Sequence, residues 1–192
     1  MKKILLLTVL AALSLPIMAQ LGVGLKGGAS NFALTGEDKS YIYLYHFGGL
    51  VQIRFSNNFS VQPELLYSKQ GNGYEENDVK IRNLLDYVNI PVMIQFNTKS
   101  GFTFEAGPEL GFLLGAKNKI GDQTPTDIKS GFKSTNLSFG LGLLYRMKMG
   151  LGFGMRYNIG LSNLSVQSTP ETKSTGAYMG ISYIFFAERK KK

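Results

Sequence analysis

Residues 135–163, TNLSFGLGLLYRMKMGLGFGMRYNIGLSN, read as one β-hairpin built to cross a membrane. On its first arm Leu137, Phe139, Leu141, Leu143 and Tyr145 fall at every second position, and Ser138, Gly140, Gly142, Leu144 and Arg146 lie between them. After a short turn around Met147, Lys148 and Met149 the second arm repeats the pattern. Leu151, Phe153, Met155, Tyr157, Ile159 and Leu161 alternate with Gly152, Gly154, Arg156, Asn158, Gly160 and Ser162. A period of two places successive side chains on opposite faces of an extended strand, so each arm has one oily face. About a dozen residues per arm is long for an ordinary strand and suits a tilted membrane crossing, which takes roughly 9–11 residues.

Working outward from this hairpin, the chain after residue 20 parses into eight strands. Besides the two arms these are 21–34, 42–55, 59–69, 84–96, 101–115 and 176–186. The connections alternate in length: 56–58, 97–100 and 147–149 are tight turns, whereas 35–41, 71–83, 116–134 and 164–175 are longer and polar. Tight turns at one end and long loops at the other are the sidedness of an outer-membrane barrel, and an even strand number puts both termini on the periplasmic side. Pro63, Pro91 and Pro108 fall inside strands, where they lack a donor for the ladder; β-bulges are the expected accommodation.

The N-terminus has the parts of a secretory signal over residues 1–19: Lys2 and Lys3, an apolar run from Ile4 to Leu15, Pro16, and a cut between Ala19 and Gln20. The remaining 20–192 form one barrel domain. The formal charge of +8 gains much of its excess from the leader and from the tail after Phe186, and the other charges are scattered over loops, which argues against nucleic acid as a partner. With Cys 0, disulfides, thiolate metal sites and cysteine catalysis are excluded.

Two barrels fit eight alternating strands. A soluble, lipocalin-like barrel turns its apolar face inward around a ligand; a membrane barrel turns it outward to lipid. The non-oily face is dominated by Gly140, Gly142, Gly152, Gly154 and Gly160, too small to clothe a water-facing wall and suited to a lumen just wide enough for side chains. Tyr43, Tyr67, Tyr145 and Tyr183 suit interfacial girdles, although Trp is absent. The fold expected is therefore all-β, an eight-stranded antiparallel up-and-down transmembrane β-barrel.

The chain resembles the outer-membrane β-barrel proteins common in Bacteroidetes, the porin-family or PorT-like proteins. The likeness is carried by the leader ending Met18-Ala19-Gln20, by Leu21-Gly22-Val23-Gly24-Leu25-Lys26-Gly27-Gly28, and by Gln62-Pro63-Glu64-Leu65-Leu66-Tyr67-Ser68-Lys69-Gln70-Gly71. Tyr87-Val88-Asn89-Ile90-Pro91-Val92 and Gly180-Ile181-Ser182-Tyr183-Ile184-Phe185 complete it, with Asn89 where the family often has glutamate. The resemblance implies the barrel over the whole mature chain and no particular activity; one branch of the family is associated with type IX secretion.

Lys26, Glu64, Glu105, Glu109, Arg146 and Arg156 all fall on the inward face, with Glu64, Glu105 and Arg156 at similar depth. Buried charges must pair, so these six are expected to form a charge network in the lumen, either a plug or a gate. Glu105 and Glu109, four residues apart on one strand, stand about 13 Å apart, too far for a glycosidase pair. His46, the sole histidine, has no nucleophile or carboxylate beside it in any recognisable motif, and Gly22 to Gly27 opens a strand rather than a helix, so it is not a dinucleotide fingerprint. No catalytic residue, metal site or cofactor is expected. The expected partners are outer-membrane lipid, the barrel-assembly machinery, and an extracellular or secretion-system protein meeting the loops. The reading is a non-enzymatic structural, adhesion or secretion-accessory barrel; a small-solute pore, a lipid-modifying enzyme and a soluble lipid carrier compete with it.

Overall fold

The computed structural model describes residues 20–34, 42–76, 79–121, 123–166 and 171–187. The expected leader and its cut fall mostly on residues outside this set. Eight long strands run up and down: β1 (Gln20–Leu34), β2 (Ile42–Arg54), β3 (Phe59–Glu76), β4 (Val79–Asn97), β5 (Phe102–Ile120), β7 (Thr135–Arg146), β8 (Leu151–Gly160) and β9 (Ser174–Ala187). A two-residue strand, β6 (Thr126–Asp127), and a single 3-10 turn (Lys129–Gly131) sit between β5 and β7. Each long strand pairs antiparallel with its neighbour, and β1 pairs with β9, so the ring closes and leaves no long open edge around the barrel.

The faces sort as the alternation requires, but with the polarity of a soluble protein reversed. Leu25, Tyr43, Phe104, Leu141 and Ile181 point outward and are exposed, while Gln62, Ser68, Asn89, Gln95 and Asn158 point inward and are buried. No water-soluble protein leaves so continuous an apolar belt uncovered, and a closed ring satisfies the backbone without water. The soluble-carrier reading fails here. The belt belongs against lipid.

Four sequence expectations are corrected. The connection expected at 71–83 is largely paired backbone: β3 and β4 run on as a ladder to Glu76↔Val79, because Asn72, Tyr74, Ile81 and Arg82 continue the strand pattern. The loop expected at 116–134 likewise loses its first turn to β5, which reaches Ile120. The second arm of the opening hairpin ends at Gly160, not beyond it.

The prolines, fourth, make no bulges. Each instead sits at a gap on one side of an unshifted ladder: β2–β3 skips from Leu50↔Glu64 to Ile53↔Val61 around Pro63, β3–β4 from Pro63↔Val92 to Leu66↔Asn89 around Pro91, and β4–β5 from Pro91↔Glu109 to Ile94↔Ala106 around Pro108. A missing N–H removes bonds on one side only, which a wide sheet tolerates without a change of register. The bulges that do occur lie at Val23/Gly24 and Asp86/Tyr87.

At the long-loop end the lumen has an apolar core. Leu34, Leu85, Tyr87, Leu113, Ala116 and Leu164 pack together, and Ile128 and Phe132 from the β5–β7 connection fold onto them. Backbone bonds pin the lid: Ile128 N–H to Ala116 O at 3.0 Å and Lys133 N–H to Leu164 O at 2.7 Å.

Candidate functional site

The wall around the middle of the lumen is built from small residues so that long ones can cross it. Arg156 rises from β8 between Gly154 and Asn158. On β7, a Cβ at Gly140 would stand 3.1 Å from Arg156 Cδ, and one at Gly142 only 2.7 Å from Glu105 Cγ and Oε1. The glycines of the hairpin are thus the space that its charges occupy.

Arg156 is 1 % exposed and donates to two carboxylates. Its Nη1 and Nη2 reach Glu64 Oε2 at 3.0 Å and Oε1 at 2.7 Å, and its Nε reaches Glu105 Oε1 at 2.7 Å. Lys26 Nζ stands 3.3 Å from Glu64 Oε2. Two cations and two carboxylates therefore meet in one cluster, neutral in sum. Gln62 Nε2 donates to Glu64 at 2.7 Å and Gln95 Nε2 to Glu105 at 2.9 Å, occupying further acceptor positions. A fork-shaped guanidinium on paired carboxylates is the strongest ion pair that side chains offer, and it is stable in a dry interior only when its other hydrogen-bonding positions are filled.

Of the six lumen charges read from the sequence, Lys26, Glu64, Glu105 and Arg156 come together and two stand apart. Arg146 lies nearer the tight-turn end, where its Nη2 donates to Gln62 Oε1 at 3.4 Å. Glu109 lies toward the loop end, where the Tyr178 hydroxyl is 3.2 Å from its Oε1. Tyr178 is the residue that sequence reasoning missed. Its oxygen accepts from Asn89 Nδ2 at 2.7 Å and Gln70 Nε2 at 3.3 Å, and Ser68 Oγ lies 3.2 Å away. The available signal was an aromatic residue flanked on its own face by Gly176 and Gly180. The lid was missed as well, although Ile128 and Phe132 are apolar residues four apart in a polar connection.

His46 is buried against Tyr178, ring centroids 4.6 Å apart. Ser68 stands opposite it in register, yet Ser68 Oγ is engaged with Gln70 and Tyr178 rather than with the imidazole. Glu105 and Glu109 point to different partners. Among the described residues no three His, Asp or Glu side chains gather as a metal site. The space left inside is small. The central cavity, lined by Lys26, His46, Glu105, Arg156 and Tyr178, holds about 20 Å³, room for a single water. A wider vestibule of about 390 Å³ opens at the tight-turn end, with Gln52, Arg54, Asn97, Thr103 and Arg146 on its walls.

A closed ring with an apolar exterior and a hydrogen-bonded polar interior defines a transmembrane β-barrel of the bacterial outer-membrane type. The chain belongs to the outer membrane protein beta-barrel domain family, whose model matches residues 14–166. Among solved structures it is similar to Ail, the attachment invasion locus protein of Yersinia pestis, with 16 % identity, 87 % of this chain and 99 % of that one covered, and a TM-score of 0.52. It is similar too to Neisserial surface protein A, with 15 % identity, 86 % and 97 % covered, and a TM-score of 0.50. No curated protein matches it significantly. The family match establishes the outer-membrane address, and the structural likenesses establish the fold.

Proposed function

We propose that this barrel is a closed, non-enzymatic scaffold that works through its long-loop end, in a structural, adhesion or secretion-accessory role. The observation that carries the reading is the filled lumen. The Arg156 cluster spans the middle, Ile128 and Phe132 cap the loop end, and the cavity beside the cluster has space for about one water. In this reading the six inward charges are structural, four of them a plug and two satisfied or hydrated near the ends. The leader is removed between Ala19 and Gln20, the termini and tight turns face the periplasm, and the loops face outward, where a partner protein meets them. Membership of the Bacteroidetes porin-family or PorT-like group as a whole belongs to the same proposal and rests on the strand motifs around Gln62 and Tyr87.

The competing pore draws support from the vestibule of about 390 Å³ at the tight-turn end. Planar-bilayer recording of the refolded protein separates the two, with Glu105→Gln and Arg156→Gln recorded beside it. A folded barrel that passes no steady current is the expected result. Discrete steps in the wild type whose size changes in the variants would make the cluster a gate and overturn the closed scaffold.

A further inference from the structure

Above the apolar band, β4 and β5 carry a row of cations on the outward face. Arg82 stands opposite Lys119 and Leu84 opposite Lys117, and residues directly opposite share a face. That face is the outer one, since Asn83 and Leu85 between them are buried, and lower on β4 it carries Ile90, Val92 and Ile94.

The boundary between band and cations is marked. Tyr45, Phe47 and Tyr67 form a ring cluster with centroids 5.4 to 6.3 Å apart, and Lys69 Nζ lies 5.9 Å over Tyr45. Just above, the bulge leaves Leu114 without a partner on β4, and its carbonyl accepts Lys129 Nζ at 2.9 Å. An ammonium is thereby tethered at the top of the band.

Of the described acids nearby, Asp86 is held at the boundary, and Asp127, opposite Lys117 in the β5–β6 ladder, makes no ion pair with it within 4.0 Å. Asp86 accepts Tyr67 Oη at 2.8 Å and pairs with Lys69 at 3.5 Å, and Asp127 accepts the Lys129 backbone N–H at 2.8 Å. On the β3 side Arg82 and Leu84 face Gly73 and Gly71, which have no side chain to cover them. Among the described residues Arg82, Lys117 and Lys119 make no ion pair within 4.0 Å. Like charges directly opposite on a ladder repel, so Arg82 against Lys119 is unfavourable until an anion sits over both. A lipid whose acyl chains lie along Ile90 and Val92 carries its head group up to this row.

We propose that Arg82, Lys117, Lys119 and Lys129 bind the phosphate groups of a phosphorylated glycolipid in the leaflet around the long-loop end. The inference rests on the orientation given above, with that end outward. Arginine takes phosphate oxygens with its fork, lysine as a point charge, and basic residues just beyond the apolar zone draw anionic head groups.

The test uses the full barrel in nanodiscs titrated with diphosphoryl lipid A or its dephosphorylated form, lipid retention being read by native mass spectrometry. The wild type should prefer the phosphorylated lipid by about tenfold or more. The triple variant Arg82→Gln, Lys117→Gln, Lys119→Gln should lose that preference, and a control pair, Lys99→Gln with Lys133→Gln, should keep it. Equal retention of both lipids by the wild type, or an unchanged preference in the triple variant, would overturn the site. So would retention of a sulfated oligosaccharide by a barrel that retains no lipid A. Orientation is read separately: Ser130→Cys gives the chain its sole thiol, which a membrane-impermeant maleimide should label on intact cells. Labelling only after lysis would reverse the orientation while leaving the lipid preference to be judged on its own.

Discussion

Arg156 and Glu64 join opposite walls of the barrel. In the ring order β1-β2-β3-β4-β5-β7-β8-β9, Glu64 on the third strand and Arg156 on the seventh lie half a circumference apart, yet two hydrogen bonds of 3.0 and 2.7 Å link them. A lumen narrow enough for one arginine to span is a packed core with polar contents.

Removing the arginine leaves two carboxylates facing each other without a cation. Arg156→Met is expected to lower unfolding free energy by about 3–5 kcal/mol, the usual cost of breaking a buried pair from one side. Adding Glu64→Gln and Glu105→Gln to it should recover a large part of the loss. Urea titration of the barrel in lipid vesicles measures both, and equal stability of the single variant and wild type would mean that the cluster is hydrated.

Gly142→Val tests whether the glycine face is room kept for the charges. Its new side chain meets Glu105, whose Cγ already lies 2.7 Å from the Cβ position, so overpacking should cost about 1–3 kcal/mol. Gly131→Ala, at a position where a Cβ meets nothing within 4 Å, should change stability by less than about 0.5 kcal/mol.

The lipid-facing assignment has its own scale. Leu141, outward near the middle of β7, should cost about 2–4 kcal/mol when changed to arginine, and Met147 at the tight turn about 0–1 kcal/mol. A cost at Leu141 no greater than at Met147 would place the apolar face elsewhere than in the bilayer.

Phe132→Asp should loosen the lid without opening the barrel. Residues 121–134 are expected to become cleavable by trypsin at Lys129 and Lys133, while the heat-modifiable mobility of the folded barrel in gel electrophoresis is kept. Loss of the folded form would show that the lid is part of the barrel's minimum core.

The strand pattern was legible because alternation is local: Leu137 to Tyr145 declare one face without reference to any other part of the chain. The meeting of Glu64, Glu105 and Arg156 was legible for a related reason, since tight turns fix how far each lies from one end. What stayed hidden depends on non-local packing. Residues 71–76 look like loop because Gly71, Asn72 and Gly73 are turn-forming types, and only the partner stretch 79–84 makes them strand. Tyr178 reads as a misplaced aromatic until Asn89, Gln70 and Glu109 are brought around it from other strands. Ile128 and Phe132 have no period at all, and their place is set by the hole at the loop end that they fill.

The grip of Arg156 on Glu64 bears on how the barrel comes into being. The four charges of its cluster come from β1, β3, β5 and β8, and Tyr178 comes last, on β9. Until the first and last strands are zipped, the guanidinium has no opposite wall to reach, and Glu64 and Glu105 need water. Ring closure and drying of the interior are therefore one cooperative event, and a half-built sheet of this sequence is a hydrated intermediate with nothing inside to hold it shut.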